Sequence, residues 1–148
     1  MSAEFDRESV LQLMAWCQAR GGSIPSTPEE VFALTELVID DSWSDVDALP
    51  VSLSALTNLT HLTVRTRYHG VRPRPWPIAI DALENLTHLT LTGFGAGEGS
   101  DCWDNYPHLR HLDLSDNKIS SLDDSFGSLA ALETLVLRKC QGGGAHSP

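Results

Sequence analysis

Three histidines recur in one local setting: Leu-Thr-His61-Leu, Leu-Thr-His88-Leu and Leu-Arg-His111-Leu. Imidazole titrates close to neutral pH and is a borderline metal ligand, so a row of three could sense pH or hold Zn²⁺ or Ni²⁺. Asp113, two residues after His111, would bring a carboxylate beside this row. Placed on adjacent strands, the rings would stack at roughly 4.8 Å. A flat stack cannot turn three nitrogens tetrahedrally onto one ion. The metal reading is therefore the lesser one, and no cofactor is expected. Repulsion among imidazolium rings below about pH 6.5 is the better use of the row. Histidine can also be plain filler on a strand face.

A second cluster lies between Arg65 and Pro77, where Arg65, Arg67, Arg72 and Arg74 stand with Tyr68 and Trp76. Arginine and aromatic side chains are enriched where proteins bind one another, and prolines reduce the entropy lost on docking. The alternative is a solvated insertion whose charges satisfy aspartates such as Asp40 and Asp41. Trp76 is set apart from this group, because it takes a position held by Leu49 elsewhere and is expected in the core. Trp43 falls nine residues after Leu34, as Tyr68 does after Leu59. The two would flank one face as anchors for a partner. The aspartates around Trp43 (Asp40, Asp41, Asp45 and Asp47) lack calcium-loop spacing.

Other chemistry is poorly supported. Gly93 to Ser100, GFGAGEGS, lacks G-x-G-x-x-G and a Lys-Ser/Thr ending, so a flexible loop is expected rather than a phosphate cradle. Asn58-Leu59-Thr60 and Asn85-Leu86-Thr87 fit the glycosylation sequon, yet both carry leucines of a repeat. Cys17, Cys102 and Cys140 are odd in number and have no metal-ligand spacing, which argues against a disulfide framework or a zinc site. No nucleophile and base are paired, so no enzyme is expected.

The chain has 148 residues, long enough for one domain with a continuous core. Ten basic against 20 acidic residues give a net charge of −10, which repels phosphate and disfavours nucleic acid and anionic membrane. MSAEFDRESV holds acids and no apolar run, so a cleaved secretory signal is not expected. The expected location is cytoplasmic, or outside the cell as an effector exported without a cleaved signal.

The elements that must position these residues follow from periodicity. Val10, Leu13, Met14 and Cys17 fall on one face of a helix over 5–20, and Gly21-Gly22 stops it. Thr27-Pro28-Glu29-Glu30 predicts a capped helix start. Five cores then begin at Leu34, Leu59, Leu86, Leu109 and Leu132, separated by 25, 27, 23 and 23 residues. Ten residues before four of them stand Ile24, Leu49, Trp76 and Leu122, so the return segment is constant and the excess lies after each strand. Alternation then predicts three outward columns. These are Glu36, His61, His88, His111 and Thr134; Val38, Thr63, Thr90, Asp113 and Val136; and Asp40, Arg65, Thr92, Ser115 and Arg138.

LRHLDLSDNKISSL and its relatives in the chain resemble the leucine-rich repeat, L-x-x-L-x-L-x-x-N/C-x-L, of the short-period bacterial and intracellular type. The resemblance implies an α/β solenoid, with a curved parallel sheet on the concave face and short helical or 3₁₀ turns on the convex face. Residues 1–22 would be an N-terminal capping helix, 23–140 the solenoid with a half repeat and about five rungs, and 141–148 a disordered tail. The asparagine position reads Ser42, Arg67, Phe94, Asn117 and Cys140, so the loops of repeats one to three are expected to be irregular. Cys102-Trp103-Asp104 is similar to the Cys-x-Asp of ubiquitin ligases carrying such repeats, but Trp103 and Tyr106 take the core positions of Leu53 and Leu56.

The implied function is non-enzymatic binding of a protein partner through the concave face and rim loops. The expected contacts are Trp43, His61, Arg65, Arg67, Tyr68, Arg72, Arg74, His88, Thr90, His111 and Asp113. Alternatives are an effector or immunity protein holding a basic target on its acidic surface, and a metal- or pH-responsive regulator using the histidines. An uncapped last rung around Leu135 and Leu137 would suit a homodimer.

Overall fold

The computed structural model describes residues 6–22, 24–40, 49–67, 74–97, 103–119 and 127–138. Five strands form one parallel sheet in chain order: β1 (Glu36–Ile39), β2 (His61–Arg65), β3 (His88–Thr92), β4 (His111–Asp113) and β5 (Thr134–Val136). The leucine spacing sets the register. Leu37, Leu62, Leu89, Leu112 and Leu135 pair across neighbouring strands, and the first four are buried. Ile39, Val64, Leu91 and Leu114 form a second buried row.

One backbone joint repeats at the entry to the strands. The carbonyl of Thr35 accepts the N–H groups of both Thr60 and His61, at 2.8 and 3.0 Å. Thr60 does the same for Thr87 and His88, Thr87 for Arg110 and His111, and Arg110 for Glu133 and Thr134. The Thr60 and Thr87 hydroxyls add a third donor to the carbonyls of Thr35 and Thr60.

The opposite face is covered by short turns. Pro50 and Pro77 hold extended backbone before the 3₁₀ helices η1 (Val51–Ala55) and η2 (Ile78–Ala82), and η3 (Trp103–Asn105) follows in the next repeat. Each turn closes through i→i+3 bonds such as Leu53 N–H to Pro50 and Ile80 N–H to Pro77. Helix α1 (Arg7–Ala19) is capped by Asp6, which accepts from Ser9 N–H, and buries Val10, Leu13, Met14 and Cys17. Helix α2 (Pro28–Phe32) opens on a capping box, in which Thr27 accepts from Glu30 N–H and bonds its carboxylate. α1 packs against α2 and η1.

Aromatic residues at leucine positions bring polar atoms that need partners. Trp76, Trp103 and Tyr106 are buried, with Trp76 and Trp103 edge to face at 5.3 Å. The carboxylate of Asp81 accepts from Trp76 Nε1 at 3.0 Å and from the Tyr106 hydroxyl.

The loops after the strands are closed in two ways. Asn117 is buried; its Nδ2 donates to the carbonyls of Leu91, Leu114 and Ser115, and its Oδ1 accepts from Ala96 N–H. In the preceding repeat, where the asparagine is replaced by Phe94, the loop is held by Arg74 instead. Arg74 pairs backbone with Gly95 and Gly97, donates Nε to the Phe94 carbonyl at 2.7 Å, and lays its guanidinium 4.1 Å from the Phe94 ring centre. Residues 93–97 are thus tightly anchored, where the glycine content had predicted a flexible loop. Gly93 is required, because its φ is +67° and an added Cβ would meet the Thr66 carbonyl oxygen at 1.8 Å.

Asn117→Ala removes four buried hydrogen bonds, among them those to Ala96 N–H and the Leu91 carbonyl, so a loss of about 3 kcal/mol is expected in urea unfolding. Exposed Asn58→Ala should cost about 1 kcal/mol or less.

Candidate functional site

The outward residues of the five strands form the candidate site. His61, His88 and His111 share a column in register, with Glu36 before them and Thr134 after. The rings of His61 and His88 stack with centroids 4.3 Å apart and planes within 10°. His88 and His111 stand 5.8 Å apart at 27°.

Threonine side chains orient two of the three rings. Thr60 Oγ1 spends its one proton on the Thr35 carbonyl, so its 2.9 Å contact with His61 Nδ1 requires the ring to donate. Thr87 does the same between the Thr60 carbonyl and His88 Nδ1. With each hydroxyl proton on the carbonyl below, Nδ1 is the donor nitrogen in both rings. In the fourth repeat Arg110 stands where the threonine would be.

The His88 pKa is lowered from the ordinary histidine value of 6.5, first by partial desolvation between its neighbours, then by the charges of His61, His111 and Arg110; Glu133 opposes them. Among the described residues no group of three or more His, Cys, Asp or Glu is placed to hold a metal ion.

In the second column Val38 is 51% exposed, and Thr63, Thr90 and Asp113 are half-buried. Asp113 Oδ1 accepts from Ser115 N–H, which fixes the carboxylate at the start of the loop. Arg65 and Arg67 are exposed, whereas Arg74 is half-buried and bound to the Phe94 loop. Trp43, Tyr68 and Arg72 lie outside the described residues, as do Cys102 and Cys140. Burial pushes the Cys17 thiol up to about 11, which keeps it protonated and poorly nucleophilic at neutral pH.

A feature the sequence did not single out runs beside this face, at the entry edge of the strands. Asn58, Thr60, Asn85, Thr87, His108 and Arg110, with Ala131, line an open groove of about 470 Å³. Its signal was the recurring Asn-Leu-Thr-His, whose asparagines donate Nδ2 to the carbonyls of Phe32 and Thr57 in the preceding repeat.

A sequence profile described as leucine rich repeat matches residues 100–141. Those residues supply η3, β4 and β5, which continue the register of β1–β3. Residues 100–141 thus match the leucine-rich repeat, and the five-stranded parallel sheet with its short 3₁₀ turns is a leucine-rich-repeat solenoid fold. No curated protein matches it. Among solved structures, an internalin (inlF) from Listeria monocytogenes aligns at 22% identity and a TM-score of 0.52, over 86% of this chain and 42% of that one. The plant peptide hormone receptor RGFR1, in complex with RGF2, aligns at 22% identity and 0.51, over 73% of this chain and 17% of that one. A second Listeria internalin, inlC2, aligns at 24% and 0.45, over 61% and 37%. The chain spans less than half the length of each, and the likeness to inlF and RGFR1 at 22% identity is one of fold. Among its described residues no helix is long and apolar enough to cross a membrane.

Because the folded His88 value lies below 6.5, the folded state binds fewer protons there than the unfolded chain. Its contribution to stability is intact above about 6.5 and declines as the pH falls through the folded value. NMR titration should place His88 below the ordinary histidine range, and His61→Gln should move it back upward.

Proposed function

We propose that this chain is a non-enzymatic interaction module that binds a protein partner on the open face of its sheet, flanked by the loops of repeats one to three. Leucine-rich-repeat domains commonly mediate protein–protein interaction. The supporting observation is that a parallel sheet, ordinarily covered on both faces, here buries its leucine face while the other leaves Val38, Thr63, Thr90 and Asp113 at least partly exposed among the described residues. The other face presents a half-exposed Val38 and the threonines Thr63 and Thr90, between the histidine column and Arg65. A rigid frame of this kind offers many side chains at little entropic cost.

His61, Arg65, Arg67, His88, Thr90, His111 and Asp113 are the contacts of this reading among the described residues, and Trp43, Tyr68 and Arg72, outside them, are its further contacts. Arg74 supports the rim by anchoring residues 94–97. The partner meets a protein of net charge −10, so a basic target held by the acidic surface is the second reading. A second copy seated on β5, where Leu132, Leu135 and Leu137 are only partly buried, is a further partner of the same kind.

Photo-crosslinkers at Val38 and Thr63 should capture the partner from cell extract, while crosslinkers at the exposed convex residues Val51 and Ile78 should not. Val38→Asp with Arg65→Glu should abolish capture without lowering the melting temperature. Adducts from the convex positions alone would contradict the proposal, and loss of capture at high salt would favour the acidic-surface reading.

A further inference from the structure

The groove at the entry edge of the strands is chemically unlike the rest of the molecule. Its residues form two rows across the rungs. Asn58, Asn85 and His108 precede the repeat leucines, and Thr60, Thr87 and Arg110 follow them. No carboxylate lines it, in a chain with 20 acids and ten bases, and its ionisable groups are His108 and Arg110.

The asparagine amides are turned in a definite sense. Asn58 Nδ2 donates to the Phe32 carbonyl at 3.0 Å and Asn85 Nδ2 to the Thr57 carbonyl at 2.9 Å. A carbonyl accepts only from N–H, so each Oδ1 is left as an acceptor. The groove therefore offers acceptors from Asn58 and Asn85 at one end and the Arg110 guanidinium beside the His108 imidazole at the other.

We propose that this groove binds an extended peptide segment, whose backbone N–H groups meet the asparagine oxygens and whose acidic side chain meets Arg110 and His108. From Asn58 to Ala131 is three rung steps, about 14 Å at roughly 4.8 Å each, and an extended chain covers that in about four residues. The groove volume of about 470 Å³ suits such a segment. Glu133 already approaches Arg110, but Nε and Oε2 stand 3.7 Å apart and both side chains are about two-thirds exposed. That loose contact competes with a ligand carboxylate without filling the guanidinium. The proposal does not depend on the open-face reading, because the groove lies at the strand entries rather than among the outward columns.

The test is fluorescence anisotropy with a capped hexapeptide of alternating Glu and Thr, its Gln-for-Glu counterpart and its phosphoserine-for-Glu counterpart. The Glu peptide should bind in preference to its Gln counterpart, and more weakly as salt rises, with the phosphoserine peptide binding at least as tightly. Arg110→Gln should weaken it several-fold and Arg110→Glu about tenfold. Glu133→Ala, which removes the competing carboxylate, should strengthen it, and Val38→Asp on the open face should leave it unchanged. Equal binding of the Gln peptide, indifference to Arg110→Glu, or weakening by Glu133→Ala would each overturn the proposal. Arg110 and Glu133 are exposed, so melting curves matching wild type are expected for their variants.

Discussion

The carbonyls of Thr35, Thr60, Thr87 and Arg110 each receive two N–H groups from the next repeat, and the rest of the structure depends on that joint. It fixes the phase of every strand against its neighbour. A slip of one residue would turn the buried leucines outward and the histidines into the core. With the phase fixed, one face of the sheet is apolar and closed, while the other is a grid of side chains whose neighbours are set by the repeat. The histidine stack and the groove beside it are both products of the same joint. The threonines at the strand entries serve the carbonyl below, the ring above and the groove wall together.

At Trp76, Tyr106 and Phe94, where the repeats depart from leucine and asparagine, a neighbouring segment supplies what is missing. Trp76 and Tyr106 fill more space than leucine and bring donors, and Asp81 accepts both. Phe94 cannot hold its loop by a side-chain hydrogen bond, so Arg74 reaches across from the previous loop to bond its carbonyl and cover its ring. Asn117 reaches back to Leu91 and Ala96 and secures the same loop from the other side. Residues 93–97 are therefore braced by both neighbours. The irregular segment after β3 is a joint between repeats rather than slack.

Much of this was legible in the sequence, because leucine spacing is a statement about geometry. The strand order, the buried rows and the column shared by His61, His88 and His111 all follow from the starts at Leu34, Leu59, Leu86, Leu109 and Leu132. Trp76, Trp103 and Tyr106 were expected in the core from their repeat positions, and they are buried. What could not be read were contacts that no repeat position demands. Asp81 and Tyr106 are 25 residues apart, and Arg74 and Phe94 are 20 apart. Arg74 looked like one more surface arginine, because only the folded loop brings the Phe94 carbonyl to it. Asn58 and Asn85 were visible but suggested a modification motif, since a bond to backbone 26 or 28 residues earlier leaves no local trace.

The account turns on register delivering oriented side chains to the open face, and the tautomers of His61 and His88 test that most directly. Long-range ¹⁵N–¹H NMR at a pH where the rings are neutral distinguishes the two nitrogens of each. With Thr60 and Thr87 committed to the carbonyls below them, both rings should carry the proton on Nδ1 and leave Nε2 bare. Protonation on Nε2 in either ring would mean that its threonine does not hold the ring, and would contradict the arrangement described for that rung.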